Sequence, residues 1–270
     1  MKNTLNTDYF ENLWLNDHPF NDRNADFWNL RAEEFNQSVS KNRSVSNREK
    51  KVELFLEKGL INSNSRALDI GCGSGQLAIA LAKVVKEVVA MDFSEKMLDY
   101  AKKNAKEAGV DNIQFVLSDW ENFVLEEPFD LVIASMSPAI NGPADLYKML
   151  MACKGSCCLS AFVKRSGALK EKLYSVTDQA FKPQYNIINY IFNILWTKGY
   201  LAELSYEMGS YERLLPLEKA REIYPLELDI SESPEKIKSL YAFLDQKEKD
   251  GFITEIMSQT RGELIWKVSK

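Results

Sequence analysis

The spacing of apolar and polar positions changes character along this chain of 270 residues. Between Arg66 and Val163, short and wholly apolar runs alternate with amphipathic ones. "RALDI" (66–70), "EVVAMD" (87–92), "IQFVLSD" (113–119), "FDLVIAS" (129–135) and "CCLSAFV" (157–163) read as strands buried on both faces. "GQLAIALAK", "SEKMLDYAKKNAKEAG" and "GPADLYKMLMAC" lie between them and read as helices. In the second of these, Met97, Leu98, Ala101, Ala105 and Ala108 form one face. Ser94 is placed to cap its start and Gly109 to stop it, and Pro143 suits the first turn of the third helix. Strictly alternating elements of this kind predict a doubly wound α/β fold with a parallel sheet covered on both faces.

The flanks differ. The first 45 residues carry Tyr9, Phe10, Trp14, Phe20, Phe27, Trp28 and Phe35, too many aromatics for a disordered tail. "FWNLRAEEFN" has helical spacing, so residues 1–45 are expected to form a helical lid. "SNREKKVELFLEKGL" (46–60) then opens the main domain as a helix, with Ser46 and Glu49 as a capping box and Gly59 as its stop. After Val163, "LKEKLYSVTDQAF" and "QYNIINYIFNILWTKG" read as helices. "LAELSYEM" and "ELIWKVSK" alternate with period two and predict an antiparallel pair at the sheet edge. The stretch between them, about 209–260, reads as a helical insertion within a main domain running over 46–270, with helices near 217–224 and 234–249.

Composition narrows the function. A net charge of −5 and a pI near 5.3 argue against a nonspecific nucleic-acid binder, so no nucleic-acid partner is expected, although a local basic groove stays compatible with that balance. Cys72, Cys153, Cys157 and Cys158 show no CxxC spacing. The single histidine, His18, is remote in sequence, so buried free thiols are expected and no metal site. No apolar run reaches the roughly 18–20 residues of a membrane span and the N-terminus shows no secretory h-region, which together lead to the expectation of a cytoplasmic protein. The sequence leaves the oligomeric state open.

The candidate chemistry gathers at the strand ends. "LDIGCGSGQLA" (68–78) holds Gly71, Gly73 and Gly75 behind Asp69. It lacks the GK[ST] of a P-loop and the third-glycine spacing of a dinucleotide fingerprint. A carboxylate there would repel a diphosphate but suits a cationic group. Asp92 ends the next strand, where a carboxylate can accept from both hydroxyls of a ribose. Asp119 and Trp120 end the third, where an acid can meet an exocyclic amine and an aromatic can cover a purine. An ammonium site, a diol site and an adenine site together fit S-adenosylmethionine, which carries no phosphate.

"LDIGCGSGQ", "VVAMDFSEKML", "FVLSDWENF" and "FDLVIAS" in this order resemble the class I S-adenosylmethionine-dependent methyltransferases, nearest to the small-molecule group that includes the ubiquinone-biosynthesis type. The resemblance runs from about Arg66 to Val163. It implies a Rossmann-like, mostly parallel sheet of seven strands, here with an antiparallel edge and a helical cap. It also implies that Asp69, Gly71, Cys72, Gly73 and Gly75 hold the methionine moiety, and that Asp92 takes the ribose with Phe93 and Met97 beside the adenosine. Asp119 and Trp120 would meet the adenine, and Ala134 and Ser135 would face the methionine end.

Each residue also has a plainer role open to it. Asp69 could hold the glycine turn, Asp92 could cap the following helix, and Trp120 and Met97 could be core. The loop "SMSPAINGP" (135–143) lacks the Asn/Asp-Pro-Pro-aromatic motif of nucleobase amine methylases, which disfavours that substrate. Its Ser137 and Asn141 can either bind an acceptor or form an ordinary turn. Trp28, Arg31 and Phe35 share a helix face; Arg31 could meet the methionine carboxylate or be a surface arginine. Asn186, Asn189 and Asn193 could line a substrate pocket or a solvated face. Methyl transfer from a sulfonium is an in-line displacement with a neutral leaving group, so alignment matters most and no catalytic residue is assigned. The expected acceptor is a small molecule. RNA or protein methylation, an NAD(P)-dependent oxidoreductase and a noncatalytic cofactor-binding module are the alternatives.

Overall fold

The computed structural model describes residues 6–17, 24–41 and 44–268, the side chains of 39–47 excepted. His18 lies outside the described residues. The chain divides into two compact units. The first comprises Met1–Ala161, Ile187–Ser205 and Glu263–Lys270; the second comprises Phe162–Asn186 and Tyr206–Gly262.

In the first unit β1 (Arg66–Ile70), α4 (Gln76–Ala82), β2 (Glu87–Asp92), α5 (Glu95–Glu107), β3 (Ile113–Leu117), β4 (Phe129–Ser135), α6 (Pro143–Met151) and β5 (Cys153–Ser166) follow one another as the hydrophobic pattern predicts. Every residue of β1 after Arg66 and of β2 after Glu87 is buried, because helices cover both faces. With β6 (Glu203–Pro216) and β7 (Phe252–Lys267) the sheet has seven strands in the order β3-β2-β1-β4-β5-β7-β6. β3, β2, β1, β4 and β5 are parallel, and the β5-β7-β6 edge is antiparallel. β1 pairs with β2 on one side and with β4 on the other. The order therefore reverses between β1 and β4, and a crevice opens outside the carboxyl ends of strands at such a point.

Three helices precede the sheet: α1 (Thr7–Asn16), α2 (Ala25–Lys41) and α3 (Ser44–Glu57). α3 starts two residues before the expected cap, so Ser46 falls inside the helix. α1 packs on α8 (Ile187–Thr197), with Trp14 stacked on Tyr190 at 6.4 Å and the Tyr190 hydroxyl donating to Asp17 at 2.7 Å. α2 packs along α5 instead. The expected lid is thus two helices with different seats.

The second unit contains α7 (Ala168–Val176), α9 (Leu217–Glu227), α10 (Pro234–Lys247) and parts of β5, β6 and β7. β6 and β7 run well beyond the expected strands, so the inserted helices occupy the span between Pro216 and Phe252, not all of 209–260. The unit also takes in Phe162–Asn186, which the sequence pattern assigned to the main domain. Along β7, Ile253, Glu255 and Met257 are buried in alternation. The period is present, but a glutamate stands at one of its inward positions.

Candidate active site

The glycine loop leaves the end of β1 and is tied at once to its neighbour: the Gly71 and Cys72 amides both donate to Met91 O of β2 at 2.9 Å. Gly71 has φ +69°, a conformation that other residues enter only with strain, and a β-carbon there would overlap Ser137 Oγ. The loop after β4 is therefore seated directly on the loop after β1. Gly75 precedes α4 as its N-cap.

Asp69 is buried, and its Oδ2 has no hydrogen-bond partner among the described residues. Its carboxyl is pushed up to about 7, first by burial and also by the nearby Asp92 charge. Lys51 and Arg48 and the Ala78 amide oppose the rise. Asp92, also buried, accepts from the Gly73 amide through Oδ2 at 2.8 Å and from the Ser94 amide through Oδ1 at 2.9 Å. Its carboxyl is likewise raised by burial, against these hydrogen bonds. Asp92 holds the loop in shape, and each oxygen retains a lone pair for a hydroxyl donor. The helix cap itself is Ser94, whose Oγ accepts from the Met97 amide at 3.2 Å. Ser74, in the same loop, has a buried hydroxyl with no partner among the described residues.

The other expected residues divide. Phe93 and Cys72 are half-buried beside the loop, and Met97 is buried on the inner face of α5. Asp119 is exposed and accepts from the Asn122 amide at 2.7 Å and its side chain at 2.9 Å, which closes a turn and lowers its pKa. Trp120 is buried: its indole donates to Asp145 O at 3.1 Å, Phe123 stacks on it and the Lys148 ammonium lies 4.9 Å from the ring centre. Trp120 is packed as a core residue. Ala134 is buried at the end of β4, and Ser135 Oγ is 3.1 Å from Ser160 Oγ on β5.

The residues expected on the substrate side take the following places. Asn189 is exposed, and its side chain accepts from the half-buried Asn193 at 2.7 Å, an i,i+4 pair on α8. Asn141 is exposed and its amide donates to Asp145 Oδ2 at 3.0 Å, while Ser137 Oγ accepts from the Ala139 amide at 3.2 Å; both serve the turn into α6. The Arg31 guanidinium lies over its own helix's Phe27 and Trp28, at 5.6 and 6.0 Å, with Glu34 at 3.8 Å. Cys153, Cys157 and Cys158 are buried free thiols.

What the sequence reading missed is a clamp of asparagines under α2. Asn29 Oδ1 accepts from Ser94 Oγ at 2.7 Å and from the Lys96 amide at 3.2 Å. Asn104 Nδ2 donates to Asn36 Oδ1 at 2.8 Å and to Ser74 O at 2.9 Å. These bonds fasten α2 to α5, and Asn104 of α5 to the glycine loop. A signal existed: asparagine is a poor helix former, and three of them sit inside helices.

A bare glycine loop between two buried carboxylates, set at the reversal of strand order, is the arrangement that the sequence likeness implies. The comparisons agree. Residues 61–221, more than half of the chain, match the family model described as a methyltransferase domain. The chain belongs to this methyltransferase family. It is similar to an uncharacterized protein of Haemophilus influenzae, 29% identical over 227 residues that cover 78% of this chain and 79% of the other. It is also 29% identical over 145 residues to the ubiquinone biosynthesis O-methyltransferase of Coxiella burnetii, covering 52% and 57% of the two chains. A solved structure of a candidate methyltransferase from Bacillus halodurans shares the fold, with a TM-score of 0.50 at 18% identity, over 82% of this chain and 100% of that one. No helix among the described residues is long and apolar enough to cross a membrane.

Proposed function

We propose that this methyltransferase takes S-adenosylmethionine as its donor and methylates a small-molecule acceptor. The observation that carries the donor reading is Asp69, a buried carboxylate whose Oδ2 has no donor among the described residues. An ammonium supplied by a ligand would satisfy it, and no phosphate could sit there without repulsion. The ribose hydroxyls would donate to the open lone pairs of Asp92, with Phe93 and Met97 nearest the adenosine. Asp119 keeps a lone pair on each oxygen for the adenine amine. When bound, the sulfonium supplies an activated methyl group for in-line displacement. The chain's part is to hold the reactants in line and dry, which in favourable cases supplies roughly 7–11 kcal/mol. α2, fastened to α5 through Asn29 and Asn36 and set against Gly73 by Phe35, acts as the lid.

A small acceptor is supported by two features. A closed lid suits a small molecule better than a polymer, and the Coxiella relative is named for O-methylation in ubiquinone biosynthesis. The test is transfer from radiolabelled S-adenosylmethionine into small-molecule, RNA and protein fractions of a cell extract. Label is expected in the small-molecule fraction. Label confined to RNA or protein would overturn the acceptor class, and no transfer into any fraction would favour a noncatalytic binding module.

A further inference from the structure

Within the second unit, five elements bring opposite charges into one interior. Arg165 comes from β5, Lys170 from α7, Tyr211 and Arg213 from β6, Glu227 from α9 and Glu255 from β7. Lys170, Glu227 and Glu255 are buried at 6%, 8% and 2% exposure. Arg213 Nη1 lies 3.4 Å from Glu227 Oε1 and 3.6 Å from Glu255 Oε2, and Lys170 Nζ lies 4.0 Å from Glu227 Oε2. Arg165 donates through Nη2 to the Tyr211 hydroxyl at 2.7 Å. Its Nε is shielded from solvent and has no acceptor among the described residues.

This is a poor way to build a scaffold. Burying each ion costs several kcal/mol, which is repaid only by tight and complete hydrogen bonding, and an apolar core of the same volume is often as stable. Here the Arg165 guanidinium meets a phenol hydroxyl and lies 4.4 Å from the centre of the Phe162 ring. Among these side chains Arg165, Lys170 and Arg213 stand with Glu227 and Glu255. A guanidinium fork with an unused N–H matches the geometry of a planar or tetrahedral oxyanion.

We propose that this cluster is an oxyanion-binding site for the carboxylate or phosphate of a small molecule, received by Arg165. The site lies inside the second unit, and the inference stands whether or not the chain methylates anything.

The experiment uses the full-length protein at fixed ionic strength set with sodium chloride, and titrates it with benzoate, succinate, inorganic phosphate and uncharged benzamide. Binding is read by thermal shift and calorimetry. At least one anion is expected to raise the melting temperature saturably, while benzamide does not. Saturation by phosphate alone identifies a phosphate ligand, and saturation by benzoate or succinate alone a carboxylate. Arg165→Met is expected to weaken that binding at least tenfold. Tyr211→Phe keeps the guanidinium but removes its present acceptor, and is expected to bind at least as tightly as the unaltered protein; it serves if Arg165→Met does not fold. No saturable response to any anion, undiminished binding by Arg165→Met, or weaker binding by Tyr211→Phe would each overturn the proposal.

Discussion

The ring of Phe35 rests against the bare α-carbon of Gly73: a β-carbon on Gly73 would stand 3.2 Å from Phe35 Cε1. This contact joins α2 to the centre of the glycine loop, whose Gly73 amide is in turn held by Asp92. If α2 is the lid, removing the ring should loosen it without disturbing the sheet. Phe35→Ala is expected to speed both association and dissociation of S-adenosylhomocysteine several-fold in stopped-flow measurements, with faster hydrogen exchange confined to α2. Unchanged rates would deny α2 a gating role.

Gly71 and Ser137 form the second tight approach. The left-handed backbone alone costs a non-glycine residue about 1–2 kcal/mol, and the overlap with Ser137 Oγ adds to that. Gly71→Ala is expected to lower stability in urea denaturation by more than the backbone term. Adding Ser137→Gly should recover the steric part and leave the backbone part. Equal stability of the single and double variants would mean that the two loops do not press on each other.

Asp92→Ala is expected to weaken S-adenosylhomocysteine binding by roughly 1.5–3 kcal/mol, the range for hydrogen bonds to a charged group. The change also frees the Gly73 and Ser94 amides, so folding has to be checked by circular dichroism. Unaltered affinity in a folded variant would remove the ribose assignment.

Asp69 makes stability depend on pH. Its carboxyl titrates near 7 in the folded chain and near 3.9 when unfolded. Between those values the folded state holds a proton that the unfolded state has lost. Stability therefore falls as pH rises from about 4 to 7, by up to about 4 kcal/mol, and does not recover above. Asp69→Asn removes this term. The ligand-free variant is expected to match the unaltered protein near pH 4 and to exceed it by roughly 1–3 kcal/mol at pH 8, while binding the donor more weakly. Denaturant titrations at the two pH values check the sign; a variant less stable at pH 8 than at pH 4, relative to the unaltered protein, would refute the raised titration.

The middle of the sheet was legible because β1, β2 and β4 are largely buried and leave unbroken apolar runs: each begins and ends where the pattern does. The edge was not. In "GSYERLLP" the inward positions alternate, but Tyr211 and Arg213 fill two of them ahead of Leu215, so polar side chains mask the period, and β7 hides its own behind Glu255. Asp69, Asp92 and the glycines were visible as an acid-and-glycine pattern at strand ends, since such loops need small residues whatever the rest of the chain does. The asparagines failed the other way. Asn189 looked like a pocket wall and is solvated, whereas Asn29, Asn36 and Asn104 looked incidental and hold α2 to α5. Hydrogen-bond partners distant in sequence decide between those roles, and periodicity carries no information about them.

Calorimetric titration of the purified chain with S-adenosylhomocysteine and, separately, with NADH tests the donor site most directly. The cradle around Asp69 and Asp92 predicts saturable one-to-one heat with S-adenosylhomocysteine, weakened in Asp69→Asn and Asp92→Ala, and none with NADH. Silence toward S-adenosylhomocysteine with saturable NADH binding would show that the carboxylates serve another ligand.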